Sequence, residues 1–173
     1  MKICKSNFKK YLHQMNKNFT LKHNKKSLFF LIIYAVYILL IFRNSMDPAD
    51  ISSEKSGAVL LILNKLLFGG KAVLTEHIVR KLAHFAEYTV AGILGMLFFR
   101  NLGFPVLSLF SGLLVALTDE TIQLFVPGRS GQVTDVWLDF AGVLAGSVMF
   151  LILSAATAYL HAKRNKRASE NQY

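Results

Sequence analysis

The chain has 173 residues, 53% of them hydrophobic and 17% charged, with a formal net charge of +10. Soluble domains carry about one quarter charged residues, so this deficit points to a membrane protein. The positive charge gathers at the two ends, beside apolar segments, which argues against a nucleic-acid groove, and the one cysteine, Cys4, excludes an intrachain disulfide.

The first stretch, 1–26, holds eight lysines and no acid. Phe8, Leu12, Met15 and Phe19 recur there at helical spacing, as in an interfacial helix on anionic lipid; a solvated arm that only sets topology fits equally well. Next comes an uncharged run over 27–42 ("SLFFLIIYAVYILLIF"), 16 residues, slightly short for a hydrocarbon core of about 30 Å. No small-x-small cleavage site follows, so it reads as an uncleaved anchor. The segment 58–68 ("AVLLILNKLLF") is too short to span and ends at Gly69-Gly70; it is expected to lie along the outer surface or to re-enter.

Three further spans are predicted over 79–99, 104–126 and 136–160. "RNLGF" makes a tight hairpin of the first two, and "PGRSGQ" does the same for the last two. Lys163, Arg164, Lys166 and Arg167 then close the chain. The expected fold is an all-α integral membrane bundle of four transmembrane helices with short amphipathic segments. Its parts are a basic arm (1–26), a membrane domain (27–160) and a basic tail (161–173). Positive-inside bias puts both termini in the cytoplasm of a multi-pass cell-membrane protein.

That orientation gathers His84, Glu87, Asp119, Glu120, Gln123, Asp135 and Asp139 in the outer half of the bilayer. Spacing supports one shared face. His77, His84, Glu87/Tyr88, Ala91 and Gly95 form one stripe; Ser108, Gly112, Ala116, Asp119/Glu120 and Gln123 a second; Asp135, Asp139, Gly142 and Gly146 a third. Each stripe is polar outward and small-residued deeper down, where backbones can approach closely. An acid at the centre of a membrane helix costs roughly 2.5–3.5 kcal/mol, so Glu87, Asp119, Glu120 and Asp139 demand compensation.

Ion pairing with Arg80, Lys81, Arg129 and the histidines is one compensation, and function is the other. Arg129, in a turn rich in glycine, suits a phosphate or carboxylate, or serves as partner to Glu120 or Asp135. His84 and Glu87, three apart, fit a general base with its partner or two metal ligands. An oxygen-rich set (Glu87, Asp119, Glu120, Asp139) suits a divalent cation such as Mg²⁺, Mn²⁺ or Ca²⁺. Trp137 and Tyr88 read as interface and packing residues.

"HFAEY", "DETIQLF" and "PGRSGQVTDVWLDFAGVLAG", with "FRNS" and "SSEKSG" after the first span, resemble the VanZ-like membrane proteins over about residues 27–155. The resemblance implies recurrent positions at His84, Glu87, Tyr88, Asp119, Glu120, Gln123, Arg129, Asp135 and Asp139, the last often asparagine in the family. It also implies a phenotype, lowered susceptibility to the lipidated glycopeptide teicoplanin, rather than a reaction.

Three functions compete. In the first, the outer cup binds a membrane lipid, a lipid-linked cell-wall precursor or the lipoglycopeptide itself, with Arg129, Gln123, Tyr88, Asp135 and Asp139 as ligand contacts. In the second, His84, Glu87, Asp119 and Glu120 catalyse hydrolysis or transfer on a cell-wall lipid with a divalent ion. The third, a proton-coupled lipid transporter, asks much of four short-looped helices.

Overall fold

The computed structural model describes residues 25–170, with side chains through residue 167. Among the described residues are five α-helices and no strand. The amphipathic spacing of Phe8, Leu12, Met15 and Phe19, and Cys4 with it, lies outside them.

Helix α1, Lys25–Ser45, is 21 residues long and runs three residues beyond its apolar stretch, through Arg43, Asn44 and Ser45. No glycine or proline interrupts it, and at 1.5 Å per residue it reaches about 31 Å, enough to cross a hydrocarbon core. The predicted shortfall therefore disappears, because polar residues at its end remain helical.

Helix α2, Ala49–Phe68, follows Pro48 and is 20 residues long, so the segment expected over 58–68 is only its second half. Gly69 ends it in the left-handed conformation (φ 61°), its N–H donating to the Asn64 carbonyl. Asn64 also fixes the following link: its Oδ1 accepts from the N–H groups of Val73 (3.2 Å) and Leu74 (3.0 Å). Among the described helices, α2 packs against only the next one, α3.

Helix α3, Glu76–Asn101, is capped by Thr75, whose side chain accepts from the Ile78 N–H. A turn through Gly103 (φ 85°) leads to α4, Leu107–Gln123. The turn over 127–132 leads to α5, Val133–Glu170, 38 residues long.

Helices α1, α3 and α5 are each long and apolar enough to cross a membrane. The fourth predicted span is not matched in the same way. Helix α4 has 17 residues where 104–126 was expected, because both flanks are turns: Leu107 donates to the Phe104 carbonyl and Phe125 to the Ile122 carbonyl. Its helical length is about 26 Å, below a full crossing by helix alone.

Glycines let α3 and α5 meet along their backbones. A Cβ on Gly146 would overlap the Thr89 carbonyl oxygen, one on Gly92 the Val143 carbonyl, and one on Gly142 would stand 2.6 Å from the Phe85 carbonyl. From α4, Gly112 admits the Val143 side chain. Gly112, Gly142 and Gly146 belong to the small-residue stripes read from the sequence, whereas Gly92 does not, and the α3 stripe's Gly95 faces Ser108 and Tyr34 instead. The core around the seam comprises Ile41, Tyr88, Ala91, Val115, Ala116, Val136 and Val143. Outward, Leu39, Phe110, Leu114, Leu151 and Ile152 stay exposed, an apolar exterior suited to lipid. Gly146→Leu should therefore force α3 and α5 apart and lower stability by at least about 1–3 kcal/mol. Thermal unfolding in lipid nanodiscs measures it, and an unchanged midpoint would contradict the close seam.

Candidate functional site

The polar residues collect at one end of the bundle, where α3 and α5 begin and α1 and α4 end. A cavity of about 150 Å³ opens there, lined by His77, Arg80, Lys81, His84, Glu120, Gln123, Arg129, Gln132 and Asp135 among others.

Its rim is largely basic. Lys81 pairs with Asp135 at 2.9 Å. Arg80 Nη2 donates to Glu76 Oε1 and to Ser53 Oγ, both at 2.9 Å. The Lys81–Asp135 pair is partly exposed, so Lys81→Met should cost about 1 kcal/mol or less; a larger loss in thermal unfolding would mean that this pair fastens α3 to α5.

Arg129 differs from both. Its Nε donates to the Asp47 carbonyl (3.2 Å), its Nη2 to the Asn44 carbonyl (3.4 Å) and its Nη1 to Gln123 Oε1 (3.3 Å). Among the described residues no carboxylate lies within ion-pair distance of it. Burial, and then the nearby Arg80 charge, hold its pKa below the ordinary arginine value, opposed at longer range by Asp119, Asp47 and Glu120. The guanidinium thus fastens the α1–α2 junction to the end of α4 through neutral acceptors and keeps its charge without a contacting counter-ion.

Within the turn itself, the Arg129 N–H bonds the Val126 carbonyl, and the Gln132 N–H donates to Glu120 Oε2 (2.8 Å). Those two amides are therefore spent on the protein. Gly131 allows the closure, since a Cβ there would run into the Glu120 carbonyl.

Beneath the rim lies a second layer. Asp119 and Asp139 are fully buried. Asp119 accepts from Ser45 Oγ through one oxygen and from Gln123 Nε2 (3.3 Å) through the other. Gln123 Nε2 also reaches Glu120 Oε1 at 3.1 Å. His84 Nδ1 stands 3.5 Å from Asp139 Oδ1, yet neither atom completes a hydrogen bond, nor does Asp139 Oδ2 or the Tyr88 hydroxyl. One ligand atom from each of His84, Asp119 and Asp139 lies within 4.8 Å of the others.

The sequence-derived set is thus divided by the fold. His84, Asp119 and Asp139 converge on the floor; Glu120, Gln123, Arg129 and Asp135 line the cavity or its wall. Glu87 turns to α1, where Asn44 Nδ2 donates to its Oε1 (3.0 Å) and the Tyr37 hydroxyl to its carbonyl (3.1 Å). Tyr88 is buried in the core beneath the floor. Sequence reasoning overlooked Asn44, Ser45, Asp47 and Gln132. "FRNS" was the only local signal for the first two, and nothing in its own spacing assigns it to this site.

Over residues 28–154, well over half of the chain, the sequence matches the model of the VanZ/LLP1 family, and the chain belongs to that family. No curated protein and no solved structure matches it.

Proposed function

We propose that this VanZ/LLP1-family membrane protein crosses the bilayer four times with both termini cytoplasmic, so that the polar end of the bundle faces outward. There it binds the anionic headgroup of an envelope lipid or lipoglycopeptide and contributes to teicoplanin-type resistance or envelope homeostasis. The charge asymmetry of the chain supports the orientation. The tight turn through Gly103 and the packing of α4 against α1, α3 and α5 support a fourth, shorter crossing.

The observation that carries the binding reading is Arg129. A half-buried guanidinium that no carboxylate among the described residues contacts, at a cavity that Arg80 and Lys81 also line, supports recognition of an anion there. Teicoplanin is lipidated and vancomycin is not, so a site at membrane depth accounts for selectivity between them. The test is expression of the intact chain in a susceptible Gram-positive host. The inhibitory concentration of teicoplanin should rise about fourfold or more, with that of vancomycin unchanged. A rise for neither removes the resistance role, and an equal rise for both removes recognition of the lipid anchor.

A second reading, an intramembrane hydrolase or transferase on a cell-wall lipid, draws support from His84. Its imidazole lies 3.5 Å from a buried carboxylate and also lines the cavity, the arrangement of an oriented acid–base group. In that case expression changes the envelope lipid pool even without antibiotic, and His84→Gln abolishes the change.

A further inference from the structure

The floor of the cavity holds two buried carboxylates and an imidazole that the protein leaves unbalanced. Asp119 is served by Ser45 and Gln123, whereas both oxygens of Asp139, fully buried, meet no donor, and His84 Nδ1 beside them has no hydrogen-bond partner. Buried carboxylates without donors are strongly disfavoured unless paired or coordinated to a metal. Arg129, Arg80 and Lys81 do not make ion-pair contacts with either Asp119 or Asp139.

We propose that His84, Asp119 and Asp139 bind one divalent first-row transition-metal ion, Mn²⁺ or Zn²⁺, whose open coordination position faces the cavity. The charges close: two carboxylates and a neutral imidazole around a doubly positive ion sum to zero. The ligand types select the class: the imidazole nitrogen favours Zn²⁺ over Mg²⁺ and Ca²⁺, which take oxygen, and the two carboxylates suit Mn²⁺, which accepts a nitrogen beside them. Geometry is near what an ion requires. Ligands at about 2 Å from a tetrahedral ion lie roughly 3.3 Å apart; His84 Nδ1 and Asp139 Oδ1 stand 3.5 Å apart, and one ligand atom from each of the three residues lies within 4.8 Å of the other two.

The surroundings support the ligands. Ser45 and Gln123 hold Asp119 by hydrogen bonds, as outer partners orient metal-binding carboxylates. Three protein ligands and one open position is the arrangement of metal sites that bind a further molecule. His84 also lines the cavity above, so a headgroup oxygen or a water can complete the sphere. The site lies beneath the proposed headgroup contacts and does not depend on them.

The test uses the full chain in nanodiscs of neutral phosphatidylcholine, which supply no anionic headgroup, so that this result and the headgroup reading fail separately. After chelator treatment and desalting, the protein is titrated with Mn²⁺ alone and with Zn²⁺ alone. About one ion per chain is expected. Asp139→Asn and His84→Gln should each weaken binding at least about tenfold, while Glu54→Gln, on the exposed face of α2, leaves it unchanged. Pulsed electron paramagnetic resonance of the Mn²⁺-loaded native chain should show nitrogen coupling from the imidazole, a readout that needs no variant. Less than about one tenth of an ion per chain in folded protein, equal binding by both floor variants, or Mn²⁺ without nitrogen coupling would each overturn the site. The first of these would leave a shared proton as the balance of the floor.

Discussion

Arg129→Ala should abolish any teicoplanin protection that the intact chain confers and lower its thermal midpoint as well. The guanidinium makes three hydrogen bonds, to the carbonyls of Asn44 and Asp47 and to Gln123, and these join the end of α1 to the end of α4 across more than 80 positions of sequence in two of the three cases. Charged hydrogen bonds contribute about 1.5–3 kcal/mol each when short and buried. These are long, and Arg129 is half-buried, so about 2–4 kcal/mol in total is the expectation. For a chain of this size that is a fall of roughly 5–15 °C.

Arg129→Lys separates anchoring from anion binding. A lysine keeps the charge but cannot reproduce a fork that reaches three acceptors at once. Stability should fall nearly as far as in the alanine variant, while part of the protection survives. If Arg129→Ala at equal membrane abundance protects fully, the headgroup reading is wrong. Unfolding in nanodiscs and inhibitory concentrations give both readouts.

Asp119→Leu should be the most destabilising single change at the floor. It removes the acceptor of Ser45 Oγ and one of the two acceptors of Gln123 Nε2, which keeps Glu120 Oε1, and sets an apolar side chain against both donors and the nearby His84. Leaving a buried neutral donor without its acceptor costs about 1–3 kcal/mol. Asp119→Asn keeps the shape and one acceptor oxygen, so it should lose less than half as much. Leucine is larger trouble than asparagine here only if the hydrogen bonds matter. Equal midpoints for native and leucine proteins would show that the carboxylate is not what the two donors need.

The convergence of polar residues was readable because helical period is a local property. Stepping by three or four puts His84 on the same stripe as Ala91, and Asp139 on the same stripe as Gly142 and Gly146, and the structure turns these stripes toward one another. The division of the set was not readable. Spacing put Glu87 and Tyr88 on the His84 stripe, yet Glu87 finds Asn44 on α1, a contact across 43 positions that no local pattern encodes.

Helix α2 was half missed for a related reason. "ADISSEKSG" has the composition of a loop, but its helix is held from outside by Arg80 on Ser53 and by the Lys55–Asp47 pair. The shorter α4 shows the reverse error. Apolar residues continue through 104–106 and 124–126, while Pro105 and Pro127, with Gly103 and Gly128 at positive φ, bend the backbone out of the helix.

Helix α5 carries one more consequence. From Asp139 at the floor to Arg167 it is unbroken helix, and its residues from 155 to 167 are all exposed. At 1.5 Å per residue that distance is roughly 40 Å. A continuous rod of this kind is a lever with its short arm in the cavity. A change of about 10° in its inclination at the cavity end swings the far basic end by roughly 7 Å. A small tilt at one end of the bundle thereby becomes a displacement at the other, carried by a single piece of backbone.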